Sequence, residues 1–132
     1  AWALAERFWP GGLTLVLQRA SHLPEELCSG GESIAVRVPD HPVALNLLAT
    51  FGGPLATTSA NISGQAAAIT AEEAQSALGG RVQMILDGGV APKGIASTVL
   101  DLTATPPKIL REGAIARQIL AAFLANHKLE LA

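Results

Sequence analysis

Pro54-Leu55-Ala56-Thr57-Thr58-Ser59-Ala60-Asn61-Ile62-Ser63-Gly64 passes from an apolar, strand-prone lead-in directly into small hydrogen-bonding side chains. The hydroxyls of Ser59 and Ser63 and the carboxamide of Asn61, closed by Gly64, can meet a ligand from both backbone and side chain without filling its space. Strands that deliver polar groups to loops build the binding sites of α/β sheets, so this stretch predicts an α/β fold with a ligand cleft.

Working outward, the flanking segments alternate between helix and strand. Ala1 to Trp9 reads as the middle or end of a helix, stopped by Pro10-Gly11-Gly12, and the chain is expected to start inside a larger protein. Leu13 to Leu17 reads as a strand, and so does Ser33 to Val38, which Pro39 halts just after Arg37. Asp40 is placed to cap a helix with Pro42 in its first turn, and Val43 to Phe51 is apolar enough for a buried helix. Gly52-Gly53 ends it, and the next strand carries the chain into Ser59-Ala60-Asn61. Beyond the quoted stretch, Thr70-Ala71-Glu72-Glu73 has the spacing of a capping box and announces a helix ending near Gly79-Gly80. Val82 to Leu86, Thr98 to Leu102 and Lys108 to Leu110 read as three strands, before an amphipathic helix from about Ala114 to Asn126. Gly88-Gly89 through Gly94 is read as a functional loop or a flexible hairpin. This order fits a mixed sheet flanked by helices.

Composition narrows the function classes. The 132 residues, 49% of them hydrophobic, suffice for one domain with a core and not for two. Nine Lys+Arg against eleven Asp+Glu leave a net charge of -2, which argues against a surface that wraps duplex nucleic acid but allows a local basic pocket. Cys28 is the single cysteine, so an internal disulfide and a cysteine-rich zinc site are excluded, and a reducing compartment follows. No apolar run reaches the length of a membrane helix and no signal-type stretch is present, so a soluble cytoplasmic protein is expected. His22, His41 and His127 stand at no familiar metal spacing, and no metal ligands are assigned. Trp2, Phe8 and Trp9 share one helical stretch and read as packing residues rather than a base-stacking platform.

Four blocks carry the chemistry: Arg7-Phe8-Trp9-Pro10-Gly11-Gly12-Leu13-Thr14-Leu15-Val16, Ile34-Ala35-Val36-Arg37-Val38-Pro39, Thr58-Ser59-Ala60-Asn61-Ile62-Ser63-Gly64, and Asp87-Gly88-Gly89 with Gly94-Ile95-Ala96-Ser97-Thr98-Val99. Their order and spacing resemble the YrdC family of threonylcarbamoyl-AMP synthases, and Ile109-Leu110-Arg111-Glu112-Gly113-Ala114-Ile115 resembles the family's Arg-x-Gly closing segment. The likeness runs from Ala5 to the last helix. It implies a YrdC-like open twisted mixed sheet flanked by helices, with residues 1–132 forming one such domain without its N-terminal part. The implied reaction converts L-threonine and bicarbonate to N-carboxythreonine, whose carboxylate attacks the α-phosphate of ATP to give threonylcarbamoyl-adenylate and pyrophosphate. The product serves t6A modification of tRNA, so tRNA and the other t6A-pathway proteins are indirect partners. Whatever the family, such chemistry needs two anions held in line with their charge compensated, and Mg2+ on the phosphates.

The resemblance also assigns residues. Arg37, suited to bidentate contact with a carboxylate, would grip threonine together with Ser59 and Ser97. Ser33, Asn61 and Arg111 would contact ATP, and Ser59 with Asn61 would be the Ser-x-Asn half of the family's Lys-x-Arg and Ser-x-Asn tetrad. Asp87 is read as a turn cap or a magnesium-facing group and stays outside the assignment. The Lys-x-Arg segment and a Thr-x-Thr-x-Tyr-Gly strand would precede Ala1, so this chain alone is expected to be a weak or inactive synthase. Gln65-Ala66-Ala67-Ala68-Ile69-Thr70 lacks the prolines and one threonine often found there in relatives. The alternative is a non-catalytic RNA- or nucleotide-binding YrdC-like module, which would ignore threonine and show steep salt dependence with RNA.

Overall fold

The computed structural model describes residues 1–28, 31–91 and 95–132. In chain order the elements are α1 (Trp2–Phe8), β1 (Leu13–Gln18), a 3-10 turn (Glu25–Cys28), β2 (Ser33–Val36), α2 (Pro42–Phe51), α3 (Ala71–Leu78), β3 (Thr98–Asp101), β4 (Lys108–Arg111) and α4 (Arg117–Asn126). They divide between two compact units, Ala1–His41 with Ile95–Ala132, and Pro42–Gly94.

The first unit holds a mixed sheet in the order β2-β1-β3-β4. β1 runs antiparallel to β2 and parallel to β3, and β3 runs antiparallel to β4. Strand alternation sends Leu13, Leu15 and Leu17 of β1 to one face and Thr14, Val16 and Gln18 to the other. Register extends this across the sheet, since Leu13 and Leu15 lie opposite Thr98 and Leu100 of β3, and Leu15 and Leu17 opposite Val36 and Ile34 of β2. Leu4 and Phe8 of α1 and Leu120 and Leu124 of α4, each pair one helical turn apart, complete a single buried cluster with Leu13, Leu15 and Leu100. Phe8 meets Phe123 edge to face with ring centroids 5.4 Å apart. Burial of each such leucine contributes about 1.5–3 kcal/mol, so the two helices fix one face of the sheet.

Close backbone approach ties the end of the sheet together. A Cβ on Gly12 would stand 2.6 Å from Ala114 Cβ, and one on Gly113 would collide with the Ala96 carbonyl. Thr98, fully buried, donates through Oγ1 to Ile115 O (2.7 Å) and accepts there from Ile115 N (3.0 Å), locking β3 to the entry of α4.

The second unit departs from the sequence reading. α3 has the expected N-cap, with Thr70 Oγ1 accepting from Glu73 N, while the reciprocal bond is displaced by one residue, as Glu73 Oε2 accepts from Ile69 N just before the cap. α2 forms where expected, yet it is not the buried helix foreseen, because none of its residues is buried and Phe51 is 63% exposed. The strand expected to lead from Gly52-Gly53 into Ser59-Ala60-Asn61 and the one expected over Val82 to Leu86 are absent as well. Their β-type composition supplies a tendency, but a strand exists only against a ladder partner, and the described residues of this unit provide none. No described residue of this unit is buried. Of the expected loop from Gly88 to Gly94, residues 92–94 lie outside the described residues. Among the described residues, no helix is long and apolar enough to cross a membrane.

Candidate functional site

The sheet face away from α1 and α4 carries Thr14 and Gln18 of β1. Register places Ala35 and Ser33 of β2 opposite Val16 and Gln18, on the same side as Thr14. The ladder stops at Val36, so Arg37 stands one residue beyond the strand rather than within it. Its orientation comes from a tertiary contact instead, as Nε donates to Gly11 O at 2.7 Å while Val38 O accepts from Gly11 N at 2.9 Å. Ser33, four residues earlier, lies roughly 13 Å away along the chain direction.

Arg111 reaches this face through an irregularity that local pattern does not reveal. Ile109 of β4 packs against the core, and simple alternation would send Arg111 the same way. A register shift between Val99 and Leu100 pairs Leu100 with Ile109 but Val99 with Arg111, leaving one extra residue in β4. Such a bulge re-aims a side chain, and Arg111 Nε and Nη2 donate to Ser97 O (3.0 and 2.9 Å), with Nη2 also donating to Ser97 Oγ (3.1 Å). Ser97, only 6% exposed, shares a 2.7 Å hydroxyl contact with Thr14 Oγ1 from a strand 83 positions away in sequence.

Arg37, Arg111, Ser97 and Thr14 therefore form one cluster. The Arg37 guanidinium is held below its ordinary value, first by partial loss of solvent and then by the charge of Arg111, although it remains a cation at neutral pH. Among the described residues the one salt bridge is Arg19 with Glu25, so neither Arg37 nor Arg111 is neutralised by a carboxylate. Two anchored guanidiniums, each tied to a main-chain carbonyl, leave their remaining N–H groups for an anion. Sequence pattern by itself gives Thr14 no role beyond its place in β1. The signal that could have found it is its hydroxyl in the otherwise apolar run Leu13-Thr14-Leu15-Val16-Leu17.

Ser59 and Asn61 belong to the second unit. Ser59 is exposed, and its carbonyl accepts from Asn61 N at 3.1 Å. Asn61 Nδ2 donates to Ile62 O (2.9 Å) and Gln65 O (3.2 Å), pinning a loop that turns at Gly64 with φ +85°. Two carbonyl partners require the NH2 side of the amide, so the amide orientation follows. Among the described residues Asn61 Oδ1 is buried without a partner. Its free capacity is that of an acceptor, which matches a hydroxyl, an amine or a cation and not a bare phosphate oxygen. Asp87 Oδ1 accepts from Gly89 N at 2.8 Å and is thus a turn cap. Among the described residues there is no group of three or more His, Cys, Asp or Glu able to hold a metal ion.

The family model Sua5_yciO_yrdC, described as telomere recombination, matches residues 1–113. The chain belongs to the Sua5/YciO/YrdC family. Among members of that family, it is 43% identical over 112 residues to a threonylcarbamoyl-AMP synthase of Pyrococcus abyssi, covering 85% of this chain and 33% of that protein. It is 41% identical over 125 residues to the threonylcarbamoyl-AMP synthase of Bacillus subtilis, covering 94% and 36% respectively. A crystal structure of P. abyssi Sua5 complexed with L-threonine superposes with a TM-score of 0.91 at 37% identity, covering 99% of this chain and 38% of that one. Escherichia coli YciO, another solved family member, gives a TM-score of 0.71 at 30% identity, covering 88% and 57%. The chain thus spans about a third of the length of these two synthases, and the α/β fold expected from the sequence is that of the Sua5/YciO/YrdC family.

Proposed function

We propose that the chain is part of an L-threonylcarbamoyladenylate synthase that uses L-threonine, bicarbonate and ATP. The observation that carries this reading is the pair Arg37 and Arg111, anchored by carbonyls and free of carboxylate partners among the described residues, with Arg111 on buried Ser97. Relatives named threonylcarbamoyl-AMP synthase and a Sua5 structure with L-threonine support it. In this reading residues 1–132 belong to one domain of the family.

In this reading threonine's amine first takes up bicarbonate to form the carbamate, losing water. A carbamate oxygen then attacks the α-phosphorus of ATP while the bond to pyrophosphate breaks, a nucleotidyl transfer. Arg37 forks the threonine carboxylate, Ser97 and Ser59 bind on the amino-acid side, and Arg111, Ser33 and Asn61 serve the nucleotide. The residues act by holding and compensating two anions, the carbamate and the triphosphate, which otherwise repel one another. Magnesium would enter on the ATP phosphates. The product passes to tRNA for t6A modification, and the protein works in the cytoplasm.

The test is calorimetric titration of Mg-ATP, with and without L-threonine, into this chain and into a version extended upstream through a relative's Lys-x-Arg segment. Threonine-coupled ATP binding by the extended version is expected, with pyrophosphate release by the present chain weak or undetectable. A folded extended protein that binds neither ligand would overturn the reading, and salt-sensitive RNA binding in its place would favour the binding-module alternative.

A further inference from the structure

Thr14 and Ser97 share a short hydroxyl contact whose direction is decided by what surrounds it. Ser97 Oγ has one hydrogen and two lone pairs. Arg111 Nη2 fills one lone pair at 3.1 Å, and Thr14 Oγ1 stands at 2.7 Å with either atom able to donate. If Ser97 donates to Thr14, Ser97 turns only a lone pair toward the ligand. If Thr14 donates to Ser97, both lone pairs are filled and the Ser97 proton is the one group left over. Beside Arg37 and Arg111, the ligand group is an anion, and an anion needs a proton donor rather than a lone pair.

We infer that Thr14 is a positioning residue whose hydroxyl donates to Ser97 Oγ, so that Ser97 presents its own proton to the substrate carboxylate. This rests on the synthase reading above. The chain of donors runs Thr14 to Ser97 to carboxylate, and each link polarises the next. Half-buried Thr14 makes no other side-chain hydrogen bond among the described residues, so its hydroxyl is spent on this contact. Valine at position 14 would keep the shape and β preference but remove the donor, freeing Ser97 to rotate its proton away from the ligand.

The experiment is calorimetric titration of L-threonine into the upstream-extended protein and its Thr14→Val, Thr14→Ser, Ser97→Ala and Thr14→Val/Ser97→Ala variants, each checked for folding by circular dichroism. Losing an oriented hydrogen bond to a charged group should weaken threonine binding by about tenfold in Thr14→Val. Thr14→Ser should restore it, and the double variant should bind no worse than Ser97→Ala alone, a non-additivity that a purely structural role would not produce. Wild-type affinity in a folded Thr14→Val protein, or additive losses in the double variant, would overturn the inference while leaving the synthase reading intact. Absence of threonine binding in the unsubstituted extended protein would remove both. If Thr14→Val fails to fold, nuclear magnetic resonance of the unsubstituted threonine complex decides: the shared hydroxyl proton is expected on Thr14, and its assignment to Ser97 refutes the inference.

Discussion

Replacing Thr98 by valine should destabilise the sheet that carries Ser97, even though valine is the more hydrophobic residue at a fully buried position. Thr98 is 0% exposed, and its hydroxyl both donates to Ile115 O at 2.7 Å and accepts from Ile115 N at 3.0 Å. Valine fills the same volume, so no cavity term enters. Two hydrogen bonds worth about 1 kcal/mol each are lost, and two polar groups of Ile115 lose their partner, adding about 1 kcal/mol after allowance for its half-burial. The expected loss is about 2–3 kcal/mol. Thr98→Ser keeps the hydroxyl and removes one methyl group, at about 1 kcal/mol. Urea unfolding followed by the fluorescence of Trp9, whose indole donates to Leu13 O in the same unit, would rank the variants, because Trp2 is 83% exposed and changes its surroundings little. A Thr98→Val protein as stable as Thr98→Ser, or more so, would refute the argument that the hydroxyl pair, rather than apolar burial, locks β3 to the entry of α4.

Three further outcomes are expected. Arg37→Lys keeps the charge but offers a single nitrogen to satisfy either Gly11 O or the ligand, so threonine affinity in the extended protein should fall about tenfold with an unchanged circular dichroism spectrum; unaltered affinity would remove Arg37 from the site. Thr70→Ala removes the acceptor for Glu73 N and should cost α3 about 1 kcal/mol, visible as a lower helical signal on mild heating, whereas an identical melting curve would discount the cap. The Asp101 carboxylate is held below its ordinary value by the Thr103 hydroxyl first and the Thr103 N–H second. That contribution is complete above the ordinary carboxylate range and disappears as the pH falls through the lower folded value, so Asp101→Asn should flatten the acid limb of stability, and an unaltered limb would contradict it.

Local pattern and tertiary contact divide this protein between them. Leu13-Thr14-Leu15-Val16-Leu17 alternates strongly enough to declare β1, Pro10-Gly11-Gly12 can only break a helix, and Thr70 with Glu73 writes its own cap. These signals act over a few residues, where sterics and local hydrogen bonding decide conformation, and so the α/β order of the first unit was legible along with the polar residues of the site. The lead-in to Ser59-Ala60-Asn61 and Val82 to Leu86 read equally well as strands and are not, because a strand needs a second chain segment to complete its hydrogen bonds and the described residues of that unit offer none. The site was likewise legible as a set of residue types but not as a geometry. Arg111 joins Ser97 only because a single extra residue in β4 reverses the face of the strand, and Arg37 is aimed by the carbonyl of Gly11 rather than by its own strand. The Thr14–Ser97 contact spans 83 positions and exists only once β1 and β3 lie side by side. Sequence alone determined the helix breaks, the cap of α3, the alternation of β1, and which hydroxyls and cations were available. Register, bulge and long-range pairing, which depend on partners distant in the chain, decided which of those groups meet.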